Sequence, residues 1–226
     1  MPFSETKIFF EETSLVARPI IPFPELKARL EARLEHLGIK VLSIEEEEYC
    51  SIPMGGVLPR LPQRVLGVGG TAGMVHPSTG YMIARVLGAA PTVADAIVEQ
   101  LGSLGGRDKA NWSPSKANTI DVDQATEEIW AMIWPNQRIR QREFFNFGME
   151  VLLKLDLAET REFFAAFFSL SDFHWQGFLS SRLSFVELIG FGLSLFAHST
   201  NEARLNLLQK GLPGLATTLV RLTKTL

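Results

Sequence analysis

The chain has 226 residues, 46% of them hydrophobic and 21% charged, a balance that supplies one or two folded cores and excludes a disordered chain. Its 22 Lys and Arg against 25 Asp and Glu leave a net charge of -3, so it lacks the basic footprint of a nucleic-acid binder. Cys50 is the single cysteine and the 4 His are scattered, which excludes an internal disulfide and a cysteine-rich or histidine-rich metal site.

The first residues, "MPFSETKIFFEET", lack the basic and apolar regions of a secretion signal and the acid-poor stretch of a transit peptide. "KIFFE" (7–11) reads as a strand, because aromatic and β-branched residues dominate and Pro19, Pro22 and Pro24 follow. In "PELKARLEARLEHLG" the residues Leu26, Leu30, Leu34 and Leu37 recur at helical spacing, with Pro24 near the start and Gly38 at the close. "IKVLSIEEEEYCSIPMGG" reads as one or two strands with Glu45 to Glu48 solvated, and "QRVLGVGG" as a short buried strand. Helix is predicted from about Gly80 to Leu101.

Residues 103–122 have linker composition, and helices are predicted over 124–133, 137–155, 158–168, 185–198, 202–209 and 215–222. Three parts result: a mixed α+β region over 1–102, the linker over 103–122, and a helical, Phe-rich region over 123–226. The charge-free run 188–200 is well short of the roughly 20 apolar residues that a membrane-spanning helix needs.

The segment "GVGGTAGMVHPSTG" places Gly69, Gly70, Thr71, Ala72 and Gly73 after a predicted strand and Pro77, Ser78, Thr79 and Gly80 before a predicted helix. It departs from a Rossmann fingerprint, because Pro77 intervenes and no acid stands at the expected strand end. With Ser78 or Thr79 as cap, the N–H groups of Gly80, Tyr81 and Met82 would face outward and favour an anion such as a pyrophosphate or the electron-rich edge of a reduced flavin. A tight turn without a ligand is the simpler reading of the spacing alone.

Glu11 and Glu12 follow three apolar residues, and neighbours on a strand face opposite sides, so at most one of them enters a pocket. Further on, 12 of the 16 Phe fall between Phe144 and Phe196, with Trp175 among them. Such residues suit a bundle core or the lining of a hydrocarbon site equally well. Arg138, Arg140 and Arg142 precede an apolar helix face. Solvated arginines are the simpler reading, and a position in an anionic headgroup layer the functional one. His174 and His198 lie near aromatics, where a core or surface role is simpler than a catalytic one.

Four blocks in order, "IFFEETSLVARP", "RVLGVGGTAGMVHPSTGYMIAR", "FGMEVLLKLDL" and "GFLSSRLSFVELIGFGLSLFAH", resemble the plant and algal lycopene cyclases, flavoproteins that close carotenoid rings. The resemblance implies an α+β fold class: the C-terminal part of a p-hydroxybenzoate-hydroxylase-like FAD-binding fold followed by an all-helical C-terminal region. It also implies that the ADP-binding βαβ unit of the family is missing here and that the chain is the C-terminal part of a longer protein.

The resemblance implies reduced FAD as cofactor, contacted by Gly69 to Gly73 and Pro77 to Gly80, with NAD(P)H as reductant. Gly69 and Gly70 stand at the family's Gly-Asp pair, so the acidic contact to the ribityl chain is lost. The "FLEET" carboxyl of the family falls on Glu11, beside Glu12, as the proton donor of a redox-neutral cyclisation. Lycopene and related linear carotenoids are the implied substrates, and Phe144, Phe145, Phe167, Trp175 and His198 the implied substrate-side residues. A plastid location, peripheral membrane association and contact with other carotenoid-pathway enzymes complete the expectation.

"HPSTGYM" and His198 are closer to the β-cyclases, with the ε-cyclases and the capsanthin/capsorubin-type synthases as alternatives. Two further readings are an inactive, membrane-associated binding module and a flavin monooxygenase on the same fold.

Overall fold

Helices carry nearly all of the regular structure in the computed structural model, which describes residues 1–14, 16–60, 63–102 and 122–223. Contacts divide the chain into two units, Met1–Ile52 and Pro53–Leu226. The first holds α1 (Phe23–His36); the second holds α2 (Ile83–Gly102), α3 (Val122–Ile133), α4 (Asn136–Leu152), α5 (Leu157–Phe168), α6 (Asp172–Leu179), α7 (Phe185–His198) and α8 (Asn201–Thr223).

The strands predicted in "KIFFE", "IKVLSIEEEEYCSIPMGG" and "QRVLGVGG" do not form among the described residues, where the one β pairing is an isolated antiparallel bridge between Pro2 and Ile8. An extended segment becomes a strand only when a partner takes its alternate N–H and C=O groups, and a single short pairing is marginal in water. Helix α2 packs on α3, so both belong to one contact unit, and the division between the units falls after Ile52. Of the predicted linker, residues 103–121 lie outside the described residues and Val122 opens α3.

In the first unit α1 runs as its leucine spacing predicts and stops at Gly38, whose φ of 68° places it in the left-handed region. Gly38 N–H donates to Glu35 O at 2.9 Å and Ile39 N–H to Leu34 O at 2.9 Å, closing the helix with the paired bonds of a Schellman motif. No residue of α1 is fully buried. Glu45 and Glu47 of the acidic run pair with Lys7 and Lys27 on the surface.

The second unit has two cores. Ala89, Val93 and Ala96 give α2 a face of small residues, against which Ile129, Trp130 and Ile133 of α3 pack, together with Trp134, Ala72 and Met74. The other core is aromatic: Phe145, Phe167, Phe178 and Phe191 join Leu183 and Leu188. Their rings meet mostly edge to face, at centroid distances such as 5.2 Å for Phe145–Phe178 and 5.8 Å for Phe167–Phe191, the geometry that the ring quadrupoles prefer.

Capping boxes start α5 (Asp156 with Glu159) and α7 (Ser184 with Glu187). Helix α6 is absent from the periodicity because its eight residues show no long apolar stripe. The two predicted helices near the end are one, α8, which continues through Pro213. Gly211 and Gly214 flank that proline and admit the Phe147 ring of α4, where a Cβ at either would lie 3.5 Å from it. Packing against α4 thus offsets the backbone hydrogen bond lost at the proline.

Candidate functional site

The glycine segment is a strained turn ahead of α2. Gly69–Ala72 forms a 3-10 turn, closed by Gly73 N–H donating to Gly70 O at 3.0 Å and Met74 N–H to Gly69 O at 3.1 Å. Gly69 (φ 76°), Gly73 (φ 71°) and Gly80 (φ 74°) lie in the left-handed region, which explains glycine at these places. Trp134 Nε1 donates to Ala72 O at 2.8 Å and fixes the turn to the end of α3. The Thr71 hydroxyl turns back to Val68 O at 3.1 Å.

The predicted cap does not form. The Ser78 hydroxyl is buried and donates to Phe145 O at 2.6 Å, while Thr79 N–H and Gly80 N–H donate to His76 O at 3.3 and 2.9 Å. Tyr81 N–H donates to the Thr79 hydroxyl at 3.3 Å. The left-handed Gly80 delays the helix, so α2 begins at Ile83 and the expected outward amides of Gly80 and Tyr81 are spent inside the turn. Among the described residues the N–H groups of Ile83, Ala84 and Arg85 donate to no acceptor, so the positive end of the helix lies three residues further on.

His76 is 2% exposed, between the rings of Phe145 (4.0 Å) and Phe178 (4.8 Å). Its Nδ1 accepts the Ser78 N–H at 3.2 Å, which places the proton of the neutral ring on Nε2, and Nε2 completes no hydrogen bond. Burial pushes the imidazole down to about 3. The ring is therefore neutral near pH 7 and acts here as a buried wedge.

Beside it, Arg85 lies over the Trp134 ring at 5.4 Å and donates to Ile133 O at 2.6 Å. Burial, and then the nearby Arg138, push its guanidinium down to about 10. Arg138 donates to Ser181 O at 2.6 Å and Arg142 to Gly56 O; burial lowers both guanidinium groups. Neither side chain is freely solvated, in contrast to the simpler sequence reading.

In the first unit Glu11 is exposed, whereas Glu12 receives Arg33 Nε at 2.9 Å and Arg33 NH2 at 2.8 Å. The two neighbours are thus unlike: Glu12 is committed to an ion pair, and Glu11 has no such partner among the described residues. Phe145 and Phe167 are fully buried core residues, Phe144 and Trp175 half-buried beside them, and His198 is exposed with Nδ1 against Ser194 O at 2.8 Å. The rings fill the aromatic core, and the clefts beside Phe163 and beside His76, of ≈ 10 and ≈ 20 Å³, hold about one water each.

Residues 1–205 match the lycopene cyclase protein family. The chain belongs to the lycopene cyclase family. It is 59% identical over 96% of its length to a lycopene beta cyclase, chloroplastic, of Arabidopsis thaliana, and 58% identical over 93% to that of Solanum lycopersicum. A capsanthin/capsorubin synthase, chromoplastic, of Capsicum annuum is 51% identical over 93%. The chain spans 41%, 40% and 40% of these relatives' lengths. No solved structure matches.

Within this member of the lycopene cyclase family, the residues that sequence reasoning missed are His76, Trp134 and Arg85 as supports of the turn. The histidine was visible beside Pro77, but its burial depends on Phe145 and Phe178, far away in sequence.

Proposed function

We propose that this chain forms part of a lycopene β-cyclase, which closes the linear ends of lycopene into β-rings without net redox change. The observation that carries the reading is 59% and 58% identity to two lycopene beta cyclases against 51% to a capsanthin/capsorubin synthase. The chemistry requires a proton delivered to a terminal double bond, attack of a neighbouring double bond on the resulting cation, and loss of a proton.

Glu11 is the proton donor in this reading. It is exposed, so the apolar surroundings that would keep its carboxyl protonated come from the bound hydrocarbon. Glu12, paired with Arg33, orients the segment instead. The wedge of His76 and the buried Ser78 hold the turn rigid.

The turn fits a flat, electron-rich ring edge. Gly70 presents bare backbone, with nothing closer to an added Cβ than the Met82 sulfur at 4.0 Å, and the free amides at Ile83 to Arg85 favour negative charge. FAD would be held there by Gly69 to Gly73, Pro77 to Gly80 and these amides, and in its reduced form, maintained by NAD(P)H, it supplies negative charge that stabilises the cation. The fold in this reading is the p-hydroxybenzoate-hydroxylase-like FAD fold. The location is the plastid, as the names of the relatives suggest, with peripheral attachment to a membrane. No helix among the described residues is long and apolar enough to cross one. Exposed Val186, Ile189 and Leu193 on α7 are the surface that supports attachment.

The test is a chimera in which this chain replaces the matching segment of the Arabidopsis relative, expressed in a lycopene-accumulating bacterium. A β-ring product that disappears with Glu11→Gln is expected. Unchanged lycopene in the unsubstituted chimera would overturn the reading, and an ε-ring product would replace it with the ε-cyclase alternative.

A further inference from the structure

Arginines from two helices converge on one cleft of ≈ 20 Å³: Arg85 of α2 and Arg138 and Arg142 of α4, with His76, Trp134 and Gln141 around them. The positions 138 and 142 are one helical turn apart, so α4 aims both side chains the same way. Their charge is not balanced. Among the described residues, one carboxylate stands against the three cations, Glu143 at 3.7 Å from Arg142, and it is shared with Arg221 at 3.5 Å. The hydrogen bonds the three arginines do make, to Ile133 O, Ser181 O, Gly56 O and the Gln141 amide oxygen, satisfy donors but neutralise nothing.

Donors are also left over. Arg142 is 9% exposed and its Nε is buried without a partner. Arg85 and Arg138 are half-buried, so the cleft is open to solvent on their side. Cations taken partly out of water without counter-charge are costly, and the lowered guanidinium values of all three register that cost. An anion in the mouth of the cleft would recover it. A carboxylate offers one charge and two oxygens, enough for a single guanidinium fork; a phosphoryl group offers up to two charges and three non-bridging oxygens. The volume admits about one oxygen atom, so the group would sit at the mouth with one oxygen inside.

We propose that the Arg85–Arg138–Arg142 cleft is a phosphoryl-binding site, taking a phosphate group either free in solution or on a lipid headgroup. Its ligands are arginine side chains of α2 and α4 rather than glycine backbone, and Pro77 of the flavin-contacting turn lines the same cleft.

The test uses the purified 226-residue chain. Its thermal midpoint is measured in phosphate, acetate and chloride at matched ionic strength, and its sedimentation is measured with phosphatidic acid vesicles, whose headgroup is a phosphomonoester, and with phosphatidylcholine vesicles. Variants are Arg85→Gln and Arg138→Gln, each checked by far-ultraviolet circular dichroism, with Arg161→Gln on an exposed face of α5 as control. Stabilisation by phosphate above chloride and acetate, weakened about tenfold in apparent affinity by either cleft variant and not by the control, establishes the free-phosphate form. Selective sedimentation with phosphatidic acid, weakened by the same variants, establishes the headgroup form. Equal midpoints in the three salts together with no vesicle preference in the unsubstituted chain overturns the proposal, whether or not the variants fold. Equal responses of the cleft and control variants overturn it as well.

Discussion

Protonating His76 should destabilise the second unit, and the size of that effect follows from its burial. The ring has an ordinary value of 6.5 and is pushed down to about 3 in the folded chain, so between these limits the unfolded state binds a proton that the folded state refuses. Stability therefore rises with pH across this window and is lost as pH falls below 6.5. Each unit contributes about 1.4 kcal/mol, so lowering the pH from 7 to 5 costs about 2 kcal/mol from this residue, or roughly 4–8 °C in midpoint. The charged groups on the same cleft, Arg85, Arg138 and Arg142, are cations and give the imidazolium no relief.

The assay is urea unfolding followed by tryptophan fluorescence at both pH values, for the natural chain and for His76→Asn. Asn retains an acceptor for the Ser78 N–H and carries no titratable group. The natural chain should lose about 2 kcal/mol more than the variant on acidification. Glu159 and Glu187, whose carboxyls are held below the usual range by Lys210 and Ser184 respectively, titrate in both proteins and cancel in the difference. Equal acid losses in the two would refute the account of a neutral, desolvated wedge.

Four other outcomes are expected. Phe167→Ala, at the centre of the aromatic core, should destabilise by about 3–5 kcal/mol in urea unfolding. Gly177→Ala forces a Cβ to within 2.6 Å of Leu183 Cδ2 and should cost about 1–3 kcal/mol in the same measurement, whereas Gly190→Ala, which meets nothing within 4 Å, should not destabilise. Ser78→Ala removes the hydroxyl that donates to Phe145 O and should cost about 0.5–1.5 kcal/mol while lowering flavin affinity in the chimera, read by fluorescence quenching. Glu12→Gln removes an ion pair whose arginine is largely exposed, so it should change thermal stability by under about 1 kcal/mol and leave cyclisation far less affected than Glu11→Gln.

The helices of the second unit were legible because their apolar spacing and their capping residues agree: Asp156 with Glu159 and Ser184 with Glu187 mark starts that the sequence alone displays. Pro213 misled because its neighbours are read as breakers, whereas Gly211 and Gly214 serve to seat Phe147. The strands misled for a different reason. Alternation such as that of "KIFFE" records a tendency to pair, and pairing depends on a partner that one segment cannot specify. At the turn, the glycines were identifiable and the helix start was not, because Gly80 spends two expected donors on a local loop. Of the two acids, only distance in space could separate Glu12, which meets Arg33 of α1, from Glu11.

The bond from the Ser78 hydroxyl to Phe145 O spans 67 positions and ends on the helix whose own ring lies in the aromatic core. Phe145 thus answers to two masters: its side chain follows the hydrocarbon packing of α5 to α7, and its carbonyl anchors the glycine turn. Drift in ring size or tilt among those helices would be felt as a displacement of the turn's backbone, so residues remote from any ligand share control over the shape it meets.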